Sequence, residues 1–158
     1  MSWNINNDLI QGDDLLLYLT SGKTVVAYAT SCSIQVDQET IDTSSKFSCR
    51  WNANMGGRAS YTISADALYC NSTSGVSFDE LLEMMVAGDN VEWYMGQESA
   101  YTVDETHKCE DNPHALDTAK PYYGGKALVT SVSLEAGNNE IATCSITLTG
   151  SEAIVKYN

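Results

Sequence analysis

Metal-binding residue types crowd into one stretch of this sequence. His107, Cys109 and His114 lie among Asp104, Glu105, Glu110 and Asp111. Zinc accepts two imidazoles, a thiolate and a carboxylate. This spacing matches no standard zinc pattern, and the ligand and glycine order of a calcium loop is missing. Both histidines fall in a polar, acidic insertion, residues 98–120. Solvated surface side chains are therefore the reading, and no metal is expected. With both histidines in that loop and no G-x-S-x-G turn, a serine triad has no support. Gly56-Gly57 and Gly124-Gly125 are isolated pairs that read as turns or bulges, not as phosphate loops. Asp13-Asp14 and Glu80/Glu83 are the acid–base candidates. Asp13-Asp14 precede a strand, Glu80 is explained as a helix cap, and nothing sets two carboxylates around a cleft. The expectation is a chain that is not an enzyme and has no cofactor.

The other residues suited to recognition are Phe47, Trp51, Lys46, Arg50 and Arg58. They lie in or border a polar segment from Gln38 to Gly57, which has no apolar periodicity and is too long for a hairpin turn. A connection of that length in a small domain is usually functional. Trp and Arg are favoured anchors of protein interfaces, and an aromatic platform also suits a sugar. On these residues alone both readings stand.

The segment must be held by the elements around it, and these read as strands. Asp13–Leu19 is a short apolar run, Thr20–Lys23 a turn, and Thr24–Thr30 its hairpin partner. Cys32, Ile34 and Val36 alternate with Ser33, Gln35 and Asp37. Beyond the segment, Tyr61, Ile63, Ala65, Ala67 and Tyr69 share one face, and Ser60, Thr62, Ser64 and Asp66 the other. One helix is expected over about 76–88. Ser77 and Glu80 form a capping box, Val76 and Leu81 a staple, and Gly88 the stop. Its apolar stripe is Phe78, Leu81, Leu82, Met85 and Val86. Residues 90–97 read as a strand, and Ala100–Val103 as a partial one. Tyr122–Glu135 is a long strand with Leu128, Thr130, Val132 and Leu134 in phase. A turn at Ala136–Asn139 leads to Glu140–Thr149, with Ala142, Cys144, Ile146 and Leu148 inward and Thr143, Ser145, Thr147 and Thr149 outward. The fold class is mainly β: an antiparallel β-sandwich or partly open β-barrel with one flanking helix and a long extended loop at about 38–57. Strand edges carry little of the lysine or proline that guards monomeric sheets, which points to neighbouring subunits.

The 158 residues fit one domain, 1–158. Eight Lys and Arg against 21 Asp and Glu give a net charge of −13, the wrong sign for a general nucleic-acid binder. The start, Met1-Ser2-Trp3-Asn4, has no signal-peptide pattern, and no run has the length of a membrane helix. Five cysteines, an odd count without a signal peptide, fit free thiols of a protein made in a reducing cytosol. Cys32 and Cys144 sit on the apolar phase of their strands.

Several strings taken together carry a family resemblance. A-T-S-C-S-I, E-T-I-D-T-S-S-K, the following Trp51, and R-x-S-Y-T-I-S-A-D-A-L occur in order. A helix ending V-A-G, the strand G-K-A-L-V-T-S-V-S-L and a closing strand follow them. The sequence resembles the major tail tube proteins of tailed bacteriophages from Asp13 to the terminal hairpin. The insertion at 98–120 has no counterpart. The resemblance implies a structural virion protein, made in the host cytoplasm, that forms hexameric rings stacked into a hollow tail tube. DNA leaves the capsid through it. The implied partners are other copies of the chain and other tail proteins at the tube ends, with no membrane. It makes Glu39–Arg58 the loop that reaches a neighbouring subunit or ring, through Glu39, Thr40, Ile41, Asp42, Thr43, Ser44, Ser45, Lys46, Trp51 and Arg58. With the resemblance, the interface reading leads. The acidic balance further suggests a lumen that repels passing DNA. Ser131, Ser133, Glu135, Thr143, Ser145 and Thr147 are the lumen candidates. The alternatives are the tube of a contractile injection or type VI secretion system, which is self-assembling in the same way, and a carbohydrate-binding β-sandwich.

Overall fold

Period-two alternation commits most of this chain to strands with one apolar face, and that face must be buried. The computed structural model describes residues 15–19, 24–26, 29–69, 76, 78–97 and 116–157. The cap at Ser77, the partial strand at Ala100–Val103 and the His107–Cys109–His114 cluster lie outside the described residues.

Among the described residues, eight strands and one α-helix follow in order. They are β1 (Leu15–Leu19), β2 (Thr24–Val25), β3 (Ala29–Asp42), β4 (Asn54–Leu68), α1 (Phe78–Ala87), β5 (Asn90–Gln97), β6 (Tyr122–Glu135), β7 (Thr143–Gly150) and β8 (Val155–Tyr157). All strand pairings are antiparallel, in the order β2-β1-β5-β6-β7-β4-β3, with β8 added on β6. The partly open barrel is the alternative realised: one sheet curls into a half-barrel. Its ends meet loosely, where the Cys32 thiol lies 3.7 Å from the Leu15 carbonyl. A groove of about 410 Å³ lined by Leu15–Leu17 and Ala29–Cys32 marks the missing closure.

The main core gathers Leu17, Leu19, Tyr61, Ile63, Ala65, Ala67, Trp93, Met95, Ala127, Val129, Ile146 and Leu148, with Leu81 of α1 closing it. Cys144 is buried and Cys32 half-buried, and burial raises the Cys32 thiol pKa. A second cluster lies on the other face of β1 and β5, where Tyr18 and Leu116 pack with Tyr122, flanked by Leu16 and Tyr94. The stacked rings of Tyr122 and Tyr157 extend it, 4.8 Å apart. The Asp117 amide donates to the Gln97 carbonyl at the end of β5, at 2.9 Å.

Four expectations change. Helix α1 turns Leu82 and Val86 outward, 39% and 78% exposed, and packs Phe78, Leu81, Met84 and Met85 instead. Its end is as expected: Gly88 adopts φ +71° and its amide bonds the Met84 and Met85 carbonyls. In β6 the apolar phase is Ala127 and Val129 first, and Val132 after a register shift between Val129 and Ser131. That bulge adds a residue, so no single alternation describes the strand. Gly124 and Gly125 are regular strand, not a turn or bulge. A Cβ on Gly124 would lie 2.7 Å from the Tyr94 ring, and one on Gly125 3.0 Å from the Tyr61 hydroxyl. Finally, β8 adds a strand that the sequence pattern does not mark, because its three exposed residues carry no alternation.

Tyr61 ties the core together. Its hydroxyl donates to the Lys126 carbonyl at 2.7 Å and accepts the Trp93 indole N–H at 3.1 Å. Burial pushes the phenol above its ordinary 10.0, against the opposing pull of the Trp93 bond. Tyr61→Phe leaves the buried indole N–H without its acceptor and should cost about 1–3 kcal/mol in urea unfolding. The raised phenol stabilises the fold below the unfolded value, and this contribution is lost as pH climbs through the folded value. Tyr61→Phe should therefore also flatten the loss of stability above about pH 10.

Candidate assembly surfaces

The segment expected as a loop at 38–57 is mostly strand. β3 runs on to Asp42, β4 resumes at Asn54, and their ladder continues through Thr40↔Gly56, Ile41↔Met55 and Asp42↔Asn54. Alternation was invisible there because both faces of the ribbon are wet, so no apolar phase is required. β7 supports β4 only as far as Thr62. From Tyr61 to Asn54 the hairpin therefore projects seven steps beyond its neighbours, roughly 24 Å of unsupported arm. A shift in register between Gln38 and Thr40 bends it. Gly56 and Gly57 receive that bulge: a Cβ on Gly57 would sit 3.1 Å from the Glu39 carbonyl oxygen.

The tip is ordered by its own side chains. The Ser44 amide donates to the Asp42 carboxylate at 2.8 Å. The Ala53 amide donates to the Ser44 hydroxyl at 2.9 Å, and the Thr43 amide to the Ala53 carbonyl at 2.8 Å. The Ser44 hydroxyl and then its amide lower the Asp42 pKa. Lys46–Ser48 forms a single 3-10 turn, which ends at Cys49 with φ 57°. Apolar side chains nevertheless face solvent: Phe47 is 95% and Trp51 84% exposed, with Val36, Ile41 and Met55 also out. All ten residues assigned to the interface, Glu39 to Lys46, Trp51 and Arg58, lie on this arm and are exposed. Lys46, Arg50 and Arg58 pair with no carboxylate among the described residues.

A second surface is the outer face of β6, β7, β4 and β3. The six lumen candidates form three facing pairs, Ser131↔Thr147, Ser133↔Ser145 and Glu135↔Thr143. Register continues the rows through Ser64↔Thr147 and Asp66↔Ser145, then Ser33↔Ser64 and Ser31↔Asp66. The structure thus adds Ser31, Ser33, Gln35 and Asp37 of β3 and Ser60, Thr62, Ser64 and Asp66 of β4. Their period-two spacing was the available signal. Asp66 accepts hydrogen bonds from Ser145 at 2.7 Å and Ser31 at 3.1 Å, which pins three strands across this face. From Ser31 to Asp37 and Ser60 to Asp66 the wall carries carboxylates and no cation, and Arg58 begins the arm.

Open edges flank this wall. Among the described residues, β3 ends the sheet and has no strand along its outer edge. β6 loses β5 beyond Leu128, so among the described residues Val129–Glu135 has an open edge on that side. Among the described residues, no group of His, Cys, Asp and Glu is placed to hold a metal ion. No helix of the described residues is long and apolar enough to cross a membrane.

A family model described as phage tail tube protein matches residues 9–156. The chain belongs to that family. This tail tube protein is accordingly a structural component of the virion tail. Its fold is shared with a subunit of the virion of a native gene transfer agent particle, at TM-score 0.69 and 17% identity over 95% of this chain and 100% of that one. The SPP1 tail tube protein matches at TM-score 0.64 and 11% identity, over 95% of this chain and 80% of the other. A chain of an extracellular contractile injection system sheath–tube complex matches at 0.61 and 14%, over 95% and 92%. No curated protein matches the tail tube protein.

Ser44→Ala should leave urea stability within about 1 kcal/mol, because the arm lies outside the core. It should speed hydrogen exchange at the Ala53 amide, which loses its acceptor. Unchanged exchange there would show that the tip is not held by Ser44.

Proposed function

We propose that six copies of this single-domain protein, residues 1–158, close into a ring, and that rings stack into a hollow tube through which DNA passes. The protein performs no catalysis. Other tail proteins meet the tube at its ends, and no membrane is involved. The observation that carries the reading is the arm: a two-stranded ribbon is marginal alone in water, yet this one stands clear of its domain with Phe47 and Trp51 exposed. Burial against a neighbour would recover about 2 kcal/mol or more for each aromatic side chain. Ring closure is served by the two open edges. The β6 edge of one copy is placed to meet the β3 edge of the next, a head-to-tail contact that closes by rotation. The gene transfer agent tail refined with C6 symmetry supports six as the number.

The Ser/Thr wall then faces the lumen. It is nearly flush, because most of its side chains are Ser and Thr, and its Asp37 and Asp66 are anionic. A cationic wall would release counterions from DNA and hold it. An anionic one repels the passenger, and repetition around the ring multiplies the field.

Replacing 39–58 by a short Gly-Ser linker should keep the fold and abolish tubes in negative-stain micrographs. Tubes of normal length from this variant would defeat the arm's role, and an unfolded domain would make the arm part of the core. Wild-type protein that stays monomeric at every concentration by light scattering would defeat the assembly itself.

For the wall, Ser131→Lys with Ser133→Lys should still form tubes, now retaining duplex DNA at low salt and releasing it as salt rises. Tight binding of duplex DNA by wild-type tubes at physiological salt would overturn the lumen assignment.

A further inference from the structure

The arm and the β6–β7 turn lie at opposite ends of the same sheet. β4 leaves the tip at Asn54 and ends beside the turn, where Leu68 pairs with Thr143 and the Tyr69 amide bonds the Ala142 carbonyl at 2.8 Å. The 15 residues of β4 make fourteen steps between the two ends, roughly 46 Å. Moving one copy along the strand direction by about that length would set the tip of one against the turn of the next.

The two ends are chemically complementary. The tip offers Lys46 and Arg50 beside Phe47 and Trp51, all exposed. The turn offers an open groove of about 400 Å³ lined by Glu135, Ala136, Gly137, Glu140, Ile141 and Thr143. Ile141 is 69% exposed and Leu134 44%, so apolar surface waits there too. Asn139, at φ 63°, shapes the turn, and the Glu140 amide closes it on the Gly137 carbonyl. Neither Glu135 nor Glu140 pairs with a cation among the described residues. The exposed face of α1, with Leu82 and Val86, is the rival receptor. It is on a helix packed across β6 rather than at the end of the sheet.

We propose that the β6–β7 turn is the receptor for the arm: the tip of one copy seats in the Glu135–Glu140–Ile141 groove of a copy in the adjacent ring. This rests on the stacked-tube reading. Lys46 and Arg50 meet the two carboxylates, and Phe47 or Trp51 covers Ile141. The contact fixes the axial step between rings at the length of β4.

The native thiol of Cys49, exposed at the tip, supplies one half of a test. Ile141→Cys supplies the other, and Val86→Cys probes the rival. Full-length tubes are assembled, mildly oxidised and run on non-reducing gels, with oxidised wild-type tubes as the baseline. Disulfide-linked ladders should appear with Ile141→Cys and vanish when Cys49→Ser is added. Tubes that cross-link through Val86→Cys and not through Ile141→Cys overturn the receptor and leave the tube intact. Wild-type protein that forms no tubes overturns both. A charge exchange covers the case in which the cysteine variant fails to assemble. Lys46→Glu with Arg50→Glu, or Glu135→Lys with Glu140→Lys, should each lose stacking, and the four together should regain it. Failure of the fourfold exchange to restore stacking, or stacking by either double variant, overturns the proposal.

Discussion

Everything in this molecule hinges on where β4 stops being core, and Tyr61 marks that point. Toward Ala67 each odd residue is buried under β5, β6 and α1. Toward Asn54 the same strand leaves its support and becomes arm. Tyr61 can hold the boundary because three strands converge on its ring and hydroxyl. Trp93 of β5 donates to it, the Lys126 carbonyl of β6 accepts from it, and Gly150 of β7 lies so close beneath the ring that a Cβ there would enter it. A side chain at Gly125 or Gly150 would displace the tyrosine, and the lever it anchors would lose its fixed angle.

The same strand serves two environments at once. Its odd residues build the core and its even residues build the Ser/Thr wall, because successive side chains point to opposite faces. A smooth polar face is therefore bought with the core's own periodicity. Asp66 shows how the wall stays ordered without packing: the carboxylate takes hydroxyls from strands on both sides. Such bonds are worth little singly in water, but they hold short side chains down.

Charge is uneven along the sheet: the arm mixes Lys46, Arg50 and Arg58 with Glu39 and Asp42, and its outermost turn carries the cations Lys46 and Arg50. Three of the chain's eight cations sit on the arm, and the opposite end carries Glu135 and Glu140. In a protein of net charge −13, copies repel one another unless approach is oriented. Placing Lys46 and Arg50 at the outermost turn and Glu135 with Glu140 at the opposite end favours the orientation that brings these two together.

The sequence by itself determined the strands and which residues each face would carry, because alternation is written directly into residue types wherever one face is buried. Tyr61 to Ala67, Cys144 to Leu148 and the Gly88 stop were all legible. It also set the charge balance and the aromatic and cationic types at the tip. Tertiary structure decided what alternation cannot record. The arm's strands were hidden because backbone hydrogen bonds can pair a ribbon with no buried face. The β6 bulge reversed Leu128 and Val129, since one inserted residue flips every later side chain. Met84 replaced Leu82 and Val86 in the core because a helix stripe gives a direction only once the sheet beneath it is placed. The wall and the two opposite ends of the sheet exist only through register between strands far apart in sequence. Pairing partners such as Asp66 and Ser145, 79 residues apart, are brought together by the order of strands in the sheet, which no local pattern encodes.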